Sequence, residues 1–238
     1  MTPGDAVAGH RTLGVFLKQP RPGAVKTRLA VALGKEAAAD LYRVLAERVL
    51  EATTPLAGEY ERLVFYDPPD AGEAMRAWLP SGRLRRQSPG DLGERMADAF
   101  ARAFARGAAR VAIVGSDVPS LTRDDVRTAF DALDRADLVL GPAHDGGYYL
   151  VALREPRPSL FEQVAWSTPG VLADTFARAA AAGLAVEQLP PLRDLDTLAD
   201  LRAEWGVLEP LLLGRPELRA AVARALAASP ASGPGGTG

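Results

Sequence analysis

The chain has 238 residues, 47% of them hydrophobic, enough for one substantial core, so a single domain over 1–228 is expected. A formal charge of −2 and a pI near 5.8 argue against nucleic acid or an anionic membrane as main partner, since both require a concentrated basic surface. There is no cysteine for disulfides or thiolate metal ligands, and no apolar run suits a signal peptide or a bilayer span, which points to a soluble, cytoplasmic protein.

Leu13–Leu17 reads as a buried strand, followed by a Pro/Gly loop from Lys18 to Gly23 and a helical pattern from Lys35 to about Thr53. Leu63–Tyr66 is a second strand, Ala71–Trp78 a short helix and Leu84–Gln87 a third strand. Leu92–Arg106 is amphipathic, with Leu92, Met96, Phe100 and Phe104 at helical spacing, and runs into the strand Val111–Val114. Helices over Thr122–Leu133 and Pro169–Ala182 alternate with strands at Leu138–Leu140, Tyr148–Leu153 and Val186–Leu189. Thr197–Ala228 is helical, and the Ser/Pro/Gly/Ala tail 229–238 holds too little apolar area to order itself. This alternation implies an α/β fold: a mostly parallel sheet flanked by helices, with ligands bound beyond the carboxyl ends of the strands.

Five segments carry candidate chemistry. The first, Lys18–Leu29, brings two lysines and two arginines together around Gly23, whose small size lets the backbone approach a ligand. Of 28 basic residues only Lys18, Lys26 and Lys35 are lysines, and two of them lie here, where a compact charge suits phosphate. Lys18, Lys26 and Arg28 are the phosphate candidates; a solvated surface loop is the alternative. Val25 stands where a P-loop needs glycine, which excludes that motif.

The second segment, Gly115–Pro119, places Asp117 just after a strand, suited to Mg2+ or Mn2+ bridging a diphosphate; the alternative is a helix cap, for which Thr122 with Asp125 is better placed. In the third, Gly141–Tyr149, Asp145-Gly146 signals a turn, and the glycine pair Gly146 and Gly147 admits a substrate with Asp145 and Tyr148 as polar contacts. His144 has no partner at metal-site spacing and is left unassigned. The fourth, Asp194–Thr197, puts two carboxylates on one side, with Asp196 either completing a metal shell or capping a helix. The fifth, Gly90–Met96, is a helix start whose amides, with Asp91 and Arg95, are candidates for a nucleotide's phosphates or base.

In order along the chain, these segments resemble the bacterial DUF2064 family, also labelled radical-SAM/selenodomain-associated transferases. The similar stretches are Phe16–Leu29, Gly90–Phe100, Gly115–Thr122, Leu140–Leu150, Phe161 with Trp166-Ser167-Thr168, and Leu192–Leu201. The resemblance implies a GT-A-like fold, that of nucleotide-diphospho-sugar transferases, with Lys18, Lys26 and Arg28 on donor phosphates and Asp117 on the metal. It also implies Asp145 at the reacting centre and an acceptor beside Gly146, Gly147, Tyr148 and Trp166. Position 115 is Gly where such enzymes often carry a second aspartate, leaving Asp196 as the other candidate ligand.

The implied function is metal-dependent transfer from a nucleotide-activated donor to a small-molecule acceptor, with sugar transfer ranked first on the family label. The alternatives are nucleotidyl transfer from a nucleoside triphosphate to a phospho- or carboxy-acceptor with release of pyrophosphate, and a non-catalytic nucleotide-binding protein.

Overall fold

Five mostly buried apolar strands form the centre of one sheet, with two short, more polar strands at its edges, in the computed structural model, which describes residues 10–228. They are β1 (Arg11–Lys18), β2 (Glu61–Asp67), β3 (Leu84–Arg86), β4 (Arg110–Val114), β5 (Leu138–Pro142), β6 (Tyr148–Leu153) and β7 (Val186–Gln188). Their order across the sheet is β3-β2-β1-β4-β6-β5-β7. Six strands run the same way. β6 alone is antiparallel, to β4 on one side and β5 on the other. The expected tail over 229–238 lies outside the described residues.

The helices are α1 (Thr27–Leu33), α2 (Lys35–Ala52), α3 (Gly72–Trp78), α4 (Leu92–Ala105), α5 (Arg123–Ala132), α6 (Val171–Ala181), α7 (Leu198–Ala203), α8 (Trp205–Leu211) and α9 (Pro216–Ala228). Alternation along β1 and β2 divides the core. Leu13, Val15, Leu17, Val64 and Tyr66 pack with Tyr42, Val49 and Phe130 on one face, while Leu63 and Phe65 pack with Met96, Phe100 and Phe161 on the other. A third cluster joins Leu29, Leu41 and Leu45 to Leu201, Leu208 and Val222, so the C-terminal helices are docked on α1 and α2. No helix among the described residues is long and apolar enough to cross a membrane.

Three expectations need revision. The basic segment ends in α1, a helix of seven residues, too short to show periodicity. The C-terminal helical stretch is three helices, with α9 starting at Pro216, where proline's missing N–H is harmless. On α4, Met96 and Phe100 are buried but Leu92 is 44% exposed, because that end of the helix opens on the cleft described next.

Candidate active site

The carboxyl ends of β1, β4 and β5, with the start of the reversed β6, open onto a cleft of about 740 Å³. Its floor is an ionic cluster. Lys26 Nζ donates to Asp117 Oδ2 at 2.8 Å and to Asp196 Oδ1 at 3.0 Å, and Arg28 Nη1 stands 3.6 Å from Asp196 Oδ2. The Lys26 side chain is 3% exposed, whereas Asp117 and Asp196 are 34% and 42% exposed. Burial works against the ammonium's charge, but Asp117 and Asp196 outweigh it and hold the pKa above its ordinary value.

Local folding explains this convergence. Lys26 takes a left-handed conformation (φ 47°, ψ 45°) at the start of α1, while Val25 before it and Leu29 after it are buried. Such strain in a non-glycine residue persists only where the surroundings fix it. Asp117 follows β4 and is not a cap, since Thr122 and Asp125 form the capping box of α5. Likewise Thr197 and Asp200 cap α7, leaving the Asp196 carboxylate free of that task. Leu195 N donates to Asp117 O at 3.0 Å, and the Leu195 side chain is wholly buried, which lays the two aspartates side by side.

A second buried link ties β1, α2 and β4 together beneath the cluster. The Lys18 amide donates to Tyr42 Oη at 2.7 Å, and that oxygen shares a hydrogen bond of 2.8 Å with Ser116 Oγ. Burial pushes the Tyr42 phenol up to about 12, so it keeps its proton.

The two walls differ in charge. On the β1–α4 side are exposed Lys18 and Arg28 and half-buried Arg95. Arg95 is already engaged: its Nε donates to Gly90 O at 3.0 Å, and its Nη1 lies 3.3 Å from Gln87 Oε1 and 3.2 Å from Asp67 Oδ1. On the β5–β7 side, residues 143–196 contribute Asp145, Asp194, Asp196, three aromatic rings and two hydroxyls to the lining, and no basic residue. Asp145 Oδ1 accepts from Gly147 N at 2.8 Å and so holds the β5–β6 turn. Asp194 is pushed up to about 6, first by burial and then by the charges of Asp145 and Asp117. Tyr148 meets Trp166 edge-on with ring centres 6.4 Å apart.

The family model DUF2064, described as an uncharacterized protein conserved in bacteria, matches residues 50–168, half of the chain. The chain belongs to the DUF2064 family. A solved structure from Desulfovibrio desulfuricans G20, titled as a candidate nucleotide-diphospho-sugar transferase, is 34% identical with a TM-score of 0.81, over 90% of this chain and 98% of that one. A phosphoenolpyruvate guanylyltransferase of Chloroflexus aggregans is 31% identical over 158 residues, which is 63% of this chain and 75% of its own. The 4-diphosphocytidyl-2C-methyl-D-erythritol synthase of Anaerococcus prevotii is 10% identical with a TM-score of 0.54, over 87% of this chain and 100% of that one, and shares the fold alone. This DUF2064 chain therefore has the nucleotide-diphospho-sugar transferase fold and is a transferase.

Of the residues singled out in the DUF2064 sequence, Lys18, Lys26, Arg28, Asp91, Arg95, Asp117, Asp145, Gly147, Tyr148, Trp166 and Asp196 all line the cleft. Gly23 and Gly146 do not. Gly23 is a turn residue (φ 79°) beside the Lys35 side chain, and at Gly146 (φ 91°) a Cβ would lie 2.2 Å from Pro169 O, so protein already fills the space assigned to an acceptor. Asp91 forms a capping box with Glu94, in which its carboxylate accepts from the Glu94 amide. His144 is exposed and stays unassigned. Tyr42, Gln87, Ser116, Ser167, Thr168 and Asp194 line the cleft without having been singled out as site residues. The Asp-x-Asp spacing was the available signal for Asp194. Nothing in the sequence marks Tyr42, which reads as one more core position of α2.

The donor set fits a divalent ion of a particular kind. Asp117 and Asp196 offer hard carboxylate oxygens that already converge on one cation, and both are open to the cleft. Among the described residues no group of three or more His, Cys, Asp or Glu side chains is placed to hold a metal. Two carboxylates suit Mg2+ or Mn2+ whose remaining ligands are water and a substrate's phosphates.

Proposed function

We propose that the protein is a divalent-metal-dependent transferase that takes a sugar from a nucleotide-sugar and places it on a small, uncharged acceptor. The observation that carries this reading is the convergence of Asp117 and Asp196 on one cation at the floor of a cleft with one basic wall. Lys18 and Arg28 would neutralise the donor's diphosphate. Mg2+ or Mn2+ on Asp117 and Asp196 would supply Lewis-acid screening of the departing nucleoside diphosphate. The protein's own contribution is chiefly positional and electrostatic. Arg95, tied to Asp67, Gln87 and Gly90, holds the shape of the donor wall. Asp145 and Asp194, which line the cleft with the Tyr148 and Trp166 rings, would accept hydrogen bonds from acceptor hydroxyls.

The guanylyltransferase relative favours a second reading, nucleotidyl transfer from a triphosphate to a phospho-acid. Charge ranks it lower. A phosphate or carboxylate on the β5–β7 wall would face Asp145 and Asp194 with no basic residue from that wall to balance it. Panels of nucleotide-sugars and nucleoside triphosphates with Mn2+ separate the two. Nucleoside diphosphate released from a nucleotide-sugar is the expected result, and pyrophosphate released from a triphosphate in the presence of phosphoenolpyruvate would replace the first reading by the second.

A further inference from the structure

We infer that Lys26 holds the place of the divalent ion whenever no ligand is bound, so that metal and donor phosphates bind together and neither binds well alone. This rests on the metal-dependent reading above and adds to it the order and coupling of binding.

Lys26 is not arranged as a ready phosphate ligand. Its Nζ is turned into the protein, on the two carboxylates that are the metal candidates, with its side chain 3% exposed, whereas Lys18 and Arg28 are exposed on the rim. Asp117 and Asp196 can satisfy the ammonium or a divalent ion at that point. A +1 and a +2 charge about 3 Å apart in a poorly solvated pocket repel strongly, so the two cannot share it. Bare metal must therefore displace a buried ammonium held by two charge-assisted hydrogen bonds and leave it without an anion. Among the described residues no third carboxylate or imidazole completes the set to compensate.

A diphosphate changes the balance on both counts. Its oxygens supply the missing metal ligands, and they give the displaced ammonium a new anion on the side where Lys18 and Arg28 already stand. The left-handed backbone at Lys26, at the junction of the loop with α1, is a natural pivot for that transfer. Because coupling between two ligands is reciprocal, the factor by which a nucleotide tightens metal is the factor by which metal tightens the nucleotide.

Titration of the full chain with Mn2+, followed by the spectrum of free Mn2+, tests this with and without uridine, guanosine and cytidine diphosphates. In the wild type one of these is expected to tighten Mn2+ at least tenfold. Lys26→Met, without nucleotide, is expected to bind Mn2+ at least tenfold more tightly than the wild type, with the coupling much reduced, and Lys26→Arg to remain weak. Lys26→Gln gives the same reading if the Met variant does not fold. A Lys26 that merely braces the site would leave Mn2+ affinity unchanged or lower in Lys26→Met or Lys26→Gln, which overturns the inference, as does wild-type Mn2+ affinity that is indifferent to every nucleotide. Absence of Mn2+ binding in all variants, with every nucleotide, would instead remove the metal-dependent function itself.

Discussion

The two walls of the cleft are built from the same kind of element, loops at one edge of a single sheet, yet they carry opposite charge. The β1–α4 wall presents Lys18 and Arg28 to solvent, while the β5–β7 wall presents Asp145, Asp194 and Asp196. Lys26 belongs to the first by sequence, yet its hydrogen bonds go to Asp196 of the second and to Asp117, which follows β4 between them. The difference teaches that a run of basic residues is not a uniform phosphate cradle. Position in the fold divides it into charges exposed at the rim and one buried charge held by the protein's own aspartates.

The contrast is broken most severely at the cluster between the walls. Asp117→Ala is expected to lower the transfer rate by roughly 10²–10³-fold, the scale of losing one electrostatic stabiliser of the transition state, and to abolish any Mn2+-dependent thermal shift. A shift unchanged in the variant would take Asp117 out of the site. Next is the shape of the acidic wall. Gly146→Ala combines a positive φ with a Cβ that would lie 2.2 Å from Pro169 O, and is expected to destabilise the chain by about 2–3 kcal/mol in denaturant unfolding.

On the basic wall the effects should fall on binding and spare stability. Lys18→Ala and Arg28→Ala are each expected to weaken nucleotide binding by roughly tenfold in calorimetry, with unfolding free energy within about 0.5 kcal/mol of the wild type. Equal losses of affinity from Lys18→Ala and Asp145→Asn would erase the distinction between the walls.

The smallest effect is a pH dependence on the acidic side. Asp194 is raised from 3.8 to about 6 in the folded chain, so the unfolded chain releases this proton first as pH rises. Stability therefore falls between those values, and the loss persists above them. Asp194→Asn removes it and is expected to raise the melting temperature at pH 8 more than at pH 4, measured without metal or nucleotide. An equal shift at both values would mean that the carboxylate carries no such burden.

Much of the site was legible because its parts are local signals. Thr122 with Asp125, and Thr197 with Asp200, form the capping boxes that their spacing announces. That spacing is also what sets Asp117 and Asp196 apart as carboxylates with no cap to make. Gly146 misled for a physical reason: a glycine that admits a ligand and a glycine that admits a neighbouring loop look alike in sequence. Tyr42 and Gln87 were hidden because their polar ends meet groups from distant strands, as in the Gln87 Nε2 bond to Phe65 O at 3.0 Å.

By itself, the sequence determined the α/β class, because short strands buried on both faces must be continuously apolar and helices must show a stripe. It also determined which loops carry charge. The tertiary structure alone decided that β6 runs backwards between β4 and β5, since a short apolar strand pairs equally well in either direction and nothing in its residues records which. It decided, too, that Lys26 meets Asp117 and Asp196 across 91 and 170 residues of chain. Such a contact depends on where the sheet sets the ends of β1, β4 and β7, and no local pattern encodes it.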